Sequence, residues 1–221
     1  MNIRHIRGVR FLGRWDKFNQ IVYWMLKIAY INLLWIFFTT IGLLVFGIFP
    51  ATAAMFAIAR KWVILGERDF KIFQEFWSFY RKDFFKLNGF AFIFVAIGYL
   101  LYYDVTFLQL NRGRFEFLIP ALLLIVMSYL VTLLFFFPVF VHFKLNFFQY
   151  IKQAFLIAIT SPVETIAMIL SGALLYGLVL MLPGIIPLFT GSVLAVSLTY
   201  FSKRSFVKLE RKLNRNVQGQ V

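Results

Sequence analysis

Between residues 117 and 141 the chain carries no Asp, Glu, Lys or Arg. A helix crosses the roughly 30 Å hydrocarbon core of a bilayer with about 20 apolar residues, so this stretch predicts a membrane span. Residues 28–59 are likewise free of formal charge but run to 32 positions, too long for one comfortable span and too short for two ideal ones. Gly42, Gly47 and Pro50 interrupt the run. Glycine permits unusual backbone angles and proline suits the first turn of a helix. The pattern therefore predicts a helix over 18–42, a tight apolar turn over 42–49, and a second helix beginning at Pro50. Arg60 and Lys61 arrive only ten residues later, which places them either at the snorkelling edge of a short span or at the base of a re-entrant hairpin.

Past that point the periodicity changes. Phe70, Phe73, Phe76, Trp77, Tyr80 and Phe84 recur at helical spacing, with Lys71, Gln74, Ser78, Arg81 and Lys82 between them. Aromatic groups on one side and cations on the other predict an amphipathic helix over 66–86 lying at the membrane interface. Further spans follow over 87–103, 117–141 and 164–182, and a sixth ends near Phe201. A polar loop holding Asp104, Arg112, Arg114 and Glu116 separates the third and fourth. Ser161-Pro162-Val163-Glu164 reads as a helix start with a capping box, which assigns Glu164 a capping role in preference to an ion or substrate path. The fold class is thus all-α: a polytopic transmembrane helix bundle of about six spans, with five as the alternative count, plus one interfacial amphipathic helix. The chain is a single membrane domain over 1–221, with a basic segment at 1–17 and a basic tail at 203–221.

Composition agrees, with 62% hydrophobic and 14% charged residues. Ordinary globular domains are about 45–50% apolar and 25% charged, so a water-soluble fold is excluded. The formal charge of +14 would suit nucleic acid, but the basic residues stand in blocks beside the apolar segments. That placement is a topology signal, and the partners it points to are membrane lipids and not nucleic acid. Five basic residues precede residue 18, seven lie in 60–86, two in 142–152 and six after 202, whereas 104–116 holds two. Six crossings put every large block in the cytoplasm together with both termini; five would export a basic terminus. Ala51-Thr52-Ala53 imitates a signal-peptidase site, but the apolar region before it exceeds the 7–15 or so residues of a signal core, so we expect it to be retained.

Candidate chemistry is sparse. The chain has no cysteine, and His5 and His142 are far apart, so neither a metal site nor a cofactor is expected. No phosphate-binding loop, zinc-protease motif or nucleophile elbow is present, and no catalytic residue is assigned; we expect no enzymatic activity. Asn32 lies mid-span near Trp35, and an amide in hydrocarbon needs a hydrogen-bond partner, by default on another helix. Small residues at 51–54 allow helices to approach closely.

The run Asn32-Leu33-Leu34-Trp35, then Gly42, then Gly47-Ile48-Phe49-Pro50-Ala51-Thr52-Ala53-Ala54-Met55 with Arg60 beyond, resembles the YesL-like membrane proteins of Gram-positive bacteria, an uncharacterised domain family. The aromatic segment 73–85 and Ser161-Pro162 also resemble that family. Its members are typically encoded with carbohydrate-uptake ABC transporters and polysaccharide-degrading enzymes. The resemblance therefore implies an accessory role in oligosaccharide import at the bacterial cell membrane, with importer permease subunits as partners. The glycine loop by which importer permeases engage their ATPases is absent, so the chain does not resemble the permease itself. On this reading Asn32, Trp35, Gly42, Pro50, Ala51, Thr52 and Arg60 form a structural motif, and Phe73, Phe76, Trp77 and Tyr80 dock the partner. An autonomous small-solute transporter or channel is the alternative, and a membrane enzyme the third reading.

Overall fold

The computed structural model describes residues 14–111, 113 and 115–218. Among these, eight α-helices and no strands occur: α1 (Arg14–Ile41), α2 (Val45–Arg60), α3 (Ile72–Lys82), α4 (Phe84–Leu110), α5 (Ile119–His142), α6 (Phe147–Thr160), α7 (Pro162–Met181) and α8 (Ile186–Gln218). Six helical segments are long and apolar enough to cross a membrane: Lys17–Ile41, Val45–Leu65, Phe84–Leu110, Glu116–His142, Pro162–Met181 and Pro183–Arg211. They pair as three antiparallel hairpins, α1–α2, α4–α5 and α7–α8, with the short helices α3 and α6 between them. The chain is a multi-pass membrane protein.

Helix α2 is the axis of the bundle, packed by α1, α3, α4, α5 and α8. Its sequence explains the position. Residues 53–59 are all buried, and four of them are alanine, so neighbouring backbones come close without large side chains between them. Phenylalanine fills the wider space on the far side, where Phe90, Phe135 and Phe136 have no solvent exposure. Phe90 stacks on Phe147 with centroids 3.9 Å apart and planes 5° from parallel, which pins α6 against α4.

The α1–α2 turn is tighter than the punctuation predicts. Helix α2 starts at Val45, so the connection is three residues long and Pro50 sits inside the helix. The positive backbone angles fall on Leu43 (φ 56°) and Leu44 (φ 62°), and the glycines serve a different purpose. A Cβ on Gly42 would run into the Gly47 backbone and stand 2.7 Å from the Tyr80 hydroxyl. A Cβ on Gly47 would stand 2.8 Å from the Thr39 Cα. The two glycines let the hairpin close on itself, and this contact starts the second helix five residues before the proline.

Arg60 and Lys61 do not end the second span, which continues through a wide π-helical turn, Lys61–Leu65, closed by left-handed Gly66 (φ 72°). Lysines from two other helices cover the carbonyls near this end: Lys203 Nζ donates to Val63 O at 2.9 Å and Lys27 Nζ to Arg68 O at 2.8 Å. Cations there complement the negative end of the helix dipole.

Four further boundaries are corrected. The amphipathic helix covers only Ile72–Lys82, because residues 66–71 form the connection and Phe84 already begins α4. Helix α4 runs to Leu110, so Asp104 is helical and outside the polar loop. The basic tail is no separate segment, since α8 continues to Gln218; Ser202, Ser205 and Phe206 keep the buried stripe of Ala195, Leu198 and Thr199 going past the first cations. Residues 147–160 form a helix that the reading above lacks, burying Tyr150, Ala154, Ile157 and Ala158. The capping box belongs to this helix, where the Asn146 N–H donates to Gln149 Oε1 at 3.1 Å. No such box forms at Ser161, whose N–H is taken by Ile157 O at 3.0 Å, the continuation of α6.

Candidate functional site

The sequence places its two groups of candidate residues on α1–α2 and α3, and the structure joins them through one ring. Phe38, on α1, lies 5.9 Å from Phe73, 5.2 Å from Phe76, 5.5 Å from Trp77 and 5.0 Å from Tyr80, measured between ring centroids. The Tyr80 hydroxyl donates to the Phe38 carbonyl at 3.1 Å. Burial raises the Tyr80 phenol above its ordinary pKa and keeps it a proton donor. In the π-helical turn after α2, Lys61 Nζ lies 2.9 Å from Glu75 Oε1 of α3 and 3.6 Å from Glu67 Oε2, which anchors the other end of α3.

This arrangement divides the expected docking set. Phe76 is wholly buried and Tyr80 nearly so; both belong to the protein's own core and are withdrawn from any partner. The reason is periodicity: positions 76 and 80 share one face of the helix, and Phe38 occupies it. Phe73 and Trp77 flank that face and remain 47% and 40% exposed.

The residues of the expected structural motif fall at separate contacts. Asn32 is buried and bridges α1 to the first turns of α8: its Nδ2 donates to Pro187 O at 2.8 Å, and its Oδ1 accepts from the Ser192 N–H at 3.0 Å. The amide thus gives one hydrogen bond to a carbonyl and takes one from an N–H within the first two turns of α8. Trp35 Nε1 donates to Thr52 Oγ1 at 3.0 Å, and that hydroxyl donates to Ile48 O at 2.7 Å, linking α1 to α2. Pro50 and Ala51 are buried on α2. These residues act as interhelical packing, the role assigned to Asn32 from sequence.

Arg60 stands apart. It is half-buried, and its Nε has no hydrogen-bond partner. It lines a cavity of about 770 Å³ with Lys82, Asp83, Lys86, His142 and Lys144. Sequence reasoning missed this grouping because its members come from α2, α3, α4 and α5 and the segment after it. Glu164 has a partner that the capping reading does not include: its carboxylate pairs with Lys208 on α8. Nothing in local spacing joins residues 44 positions apart.

Residues 28–105, which span the second half of α1 through most of α4, match the family described as "Protein of unknown function, DUF624". Three proteins of Bacillus subtilis (strain 168) are similar over nearly the whole chain. The uncharacterized protein YteU is 35% identical over 184 residues, 83% of this chain and 81% of its own length. The chain belongs to the YesL-like family. YesV is 33% identical over 187 residues (84% and 89% of the two chains) and YesL 31% identical over 195 (88% and 91%). No solved structure matches the chain. The segment matched by the DUF624 family contains the glycine-closed hairpin, the aromatic helix and Arg60, whereas Glu164, Lys208 and all of α6 lie beyond it.

Proposed function

We propose that this protein is a non-enzymatic accessory subunit of the bacterial cell membrane, with both termini cytoplasmic, that docks laterally on a permease subunit of a carbohydrate importer. The carrying observation is the exposure of Phe73 and Trp77 on a helix whose other aromatic residues are used internally. Interfacial helices already tied to a bundle by spans on both sides need little additional lipid anchoring, and exposed aromatic groups are favoured centres of protein interfaces. The middle of the bundle supports the same reading: Ala54, Met55, Phe90, Phe94, Phe135 and Phe136 fill it. A transporter with a mid-membrane site requires facing polar groups and broken helices there. The connection to sugar import rests on the YesL-like resemblance.

The test is extraction in mild detergent with identification of co-purifying proteins. Changing Phe73 and Trp77 together to Ala should leave membrane insertion intact and strip the importer permease from the purified material. A double variant that inserts normally and keeps its partner at wild-type yield moves the docking surface elsewhere. Solute uptake by purified protein in vesicles, without any partner, would establish the transporter reading instead.

A further inference from the structure

The charged end of the bundle contains more positive charge than its own carboxylates can meet, and the excess converges on one cavity. Arg60 from α2, Lys82 from α3, Lys86 from α4 and Lys144 from the segment after α5 line it, together with His142; Asp83 is the one carboxylate among the lining residues. Lys86 is fixed in place, its Nζ 4.5 Å from the Tyr150 ring centroid and 5.5 Å from that of Phe140. Lys82 and Lys144 are exposed, so the cavity mouth reaches solvent or headgroups. At its inner side the buried Arg60 Nε makes no hydrogen bond within the protein, while His142 turns its Nε2 toward Glu210 Oε1 at 3.7 Å. Buried donors are ordinarily satisfied, and a guanidinium left with an open N–H beside three ammonium groups calls for an acceptor carrying negative charge.

We infer that this cavity is a binding site for a phosphate group, supplied by the headgroup of an anionic phospholipid or by a soluble phosphate compound. A phosphate offers oxygens in several directions, which matches cations arriving from four segments of chain, and its charge offsets their mutual repulsion. The volume of about 770 Å³ accommodates a glycerophosphate headgroup. Basic pockets between membrane helices at the cytoplasmic headgroup level suit such lipids. This site is independent of the docking surface proposed above, since neither Phe73 nor Trp77 lines it.

The experiment uses the full chain in neutral detergent, with native mass spectrometry for bound lipid and thermal unfolding for stabilisation. Phosphatidylglycerol should be retained and protective where phosphatidylcholine is not. Arg60→Gln and Lys86→Gln should each weaken retention on the order of tenfold, as expected for loss of one charge-assisted contact. Lys152→Gln, which removes one exposed cation outside the cavity, should not. If Arg60→Gln fails to fold, Lys144→Gln at the exposed mouth replaces it. Inorganic phosphate separates the sources: protection by phosphate with displacement of the lipid assigns the site to a soluble phosphate compound, and retention of lipid in excess phosphate assigns it to the headgroup. Equal retention of the two lipids without any effect of phosphate overturns the proposal. So does an equal loss in Lys152→Gln, which would reduce the binding to general surface charge.

Discussion

The Glu164 carboxylate, buried at the first turn of α7, is paired with Lys208 Nζ on α8, while its second oxygen, Oε2, is buried without a partner. The lysine side chain is 59% exposed and the glutamate side chain 6%, so the two partners are not equivalent. Lys208→Ala leaves a buried carboxylate alone. We expect it to cost about 2 kcal/mol, below the roughly 3–5 kcal/mol of a fully buried pair because solvent screens the lysine. Glu164→Gln leaves only an exposed lysine and should cost less, about 1 kcal/mol. Equilibrium unfolding in mild detergent measures both, and a glutamine variant weaker than the alanine variant would refute this account of the pair.

The hairpin tip gives a second test. Gly42→Ala must displace both the Gly47 backbone and the Tyr80 hydroxyl, and overpacking of this kind costs about 1–3 kcal/mol. Tyr80→Phe removes only the hydrogen bond to Phe38 O and should cost about 1 kcal/mol. Combined, the two should cost less than their sum, because loss of the hydroxyl relieves one of the clashes. A double variant measured by the same unfolding assay that is fully additive would show that Tyr80 does not press on the turn.

Asn32→Ala removes the bridge from α1 to Pro187 and Ser192. Interhelical hydrogen bonds in membranes are worth about 0.6 kcal/mol on average and up to about 1.7, and a two-ended amide should fall near the upper figure. The expected signature is local: cross-linking between α1 and the start of α8 should weaken while that between α4 and α5 is unchanged. Equal weakening at both places would mean that Asn32 supports folding generally and not this junction.

Membrane topology is testable without background because the chain has no cysteine of its own. Single cysteines at Gly113, Ser78, Gln218 and Leu43 should give one reactive site, Gly113, toward a membrane-impermeant thiol reagent in intact cells. Ser78 and Gln218 are expected on the cytoplasmic side. Leu43 is expected to stay unlabelled, because it stands among Ile41, Leu44, Val45 and Phe46, all exposed and apolar, at the turn between the first two spans. Labelling at Gln218 without labelling at Ser78 would favour five crossings.

Much of the fold was legible at the level of spans. Charge-free runs of sufficient length mark helices in a bilayer, since backbone polar groups there must be satisfied within the segment, and the six apolar segments stand where the pattern puts them. Asn32 was legible for the same reason. Helix α6 was also within reach: Asn146 followed three residues later by Gln149 opens a helical stripe at Tyr150, Ala154, Ile157 and Ala158, but the stripe is short and Lys152 draws the eye to charge. The extension of α8 beyond Phe201 was signalled by Ser202, Ser205 and Phe206 continuing its period.

The amino-acid pattern alone is enough for a multi-pass helical protein that resembles the YesL-like family, a tight turn between its first two spans, and an amphipathic aromatic helix after the second. These follow from local quantities: hydropathy along the chain, the period of a helix and the spacing of a motif. Tertiary packing settled which aromatic residues were already in use, because Phe38, more than thirty positions before α3, buries Phe76 and Tyr80 while Phe73 and Trp77 touch it and stay exposed. It likewise decided that Glu164 meets Lys208 and that Arg60 faces a cavity of cations drawn from separate helices. Charge and ring contacts of this kind act through space over a few ångströms, and hairpin packing sets those distances irrespective of how far apart the residues lie in the chain.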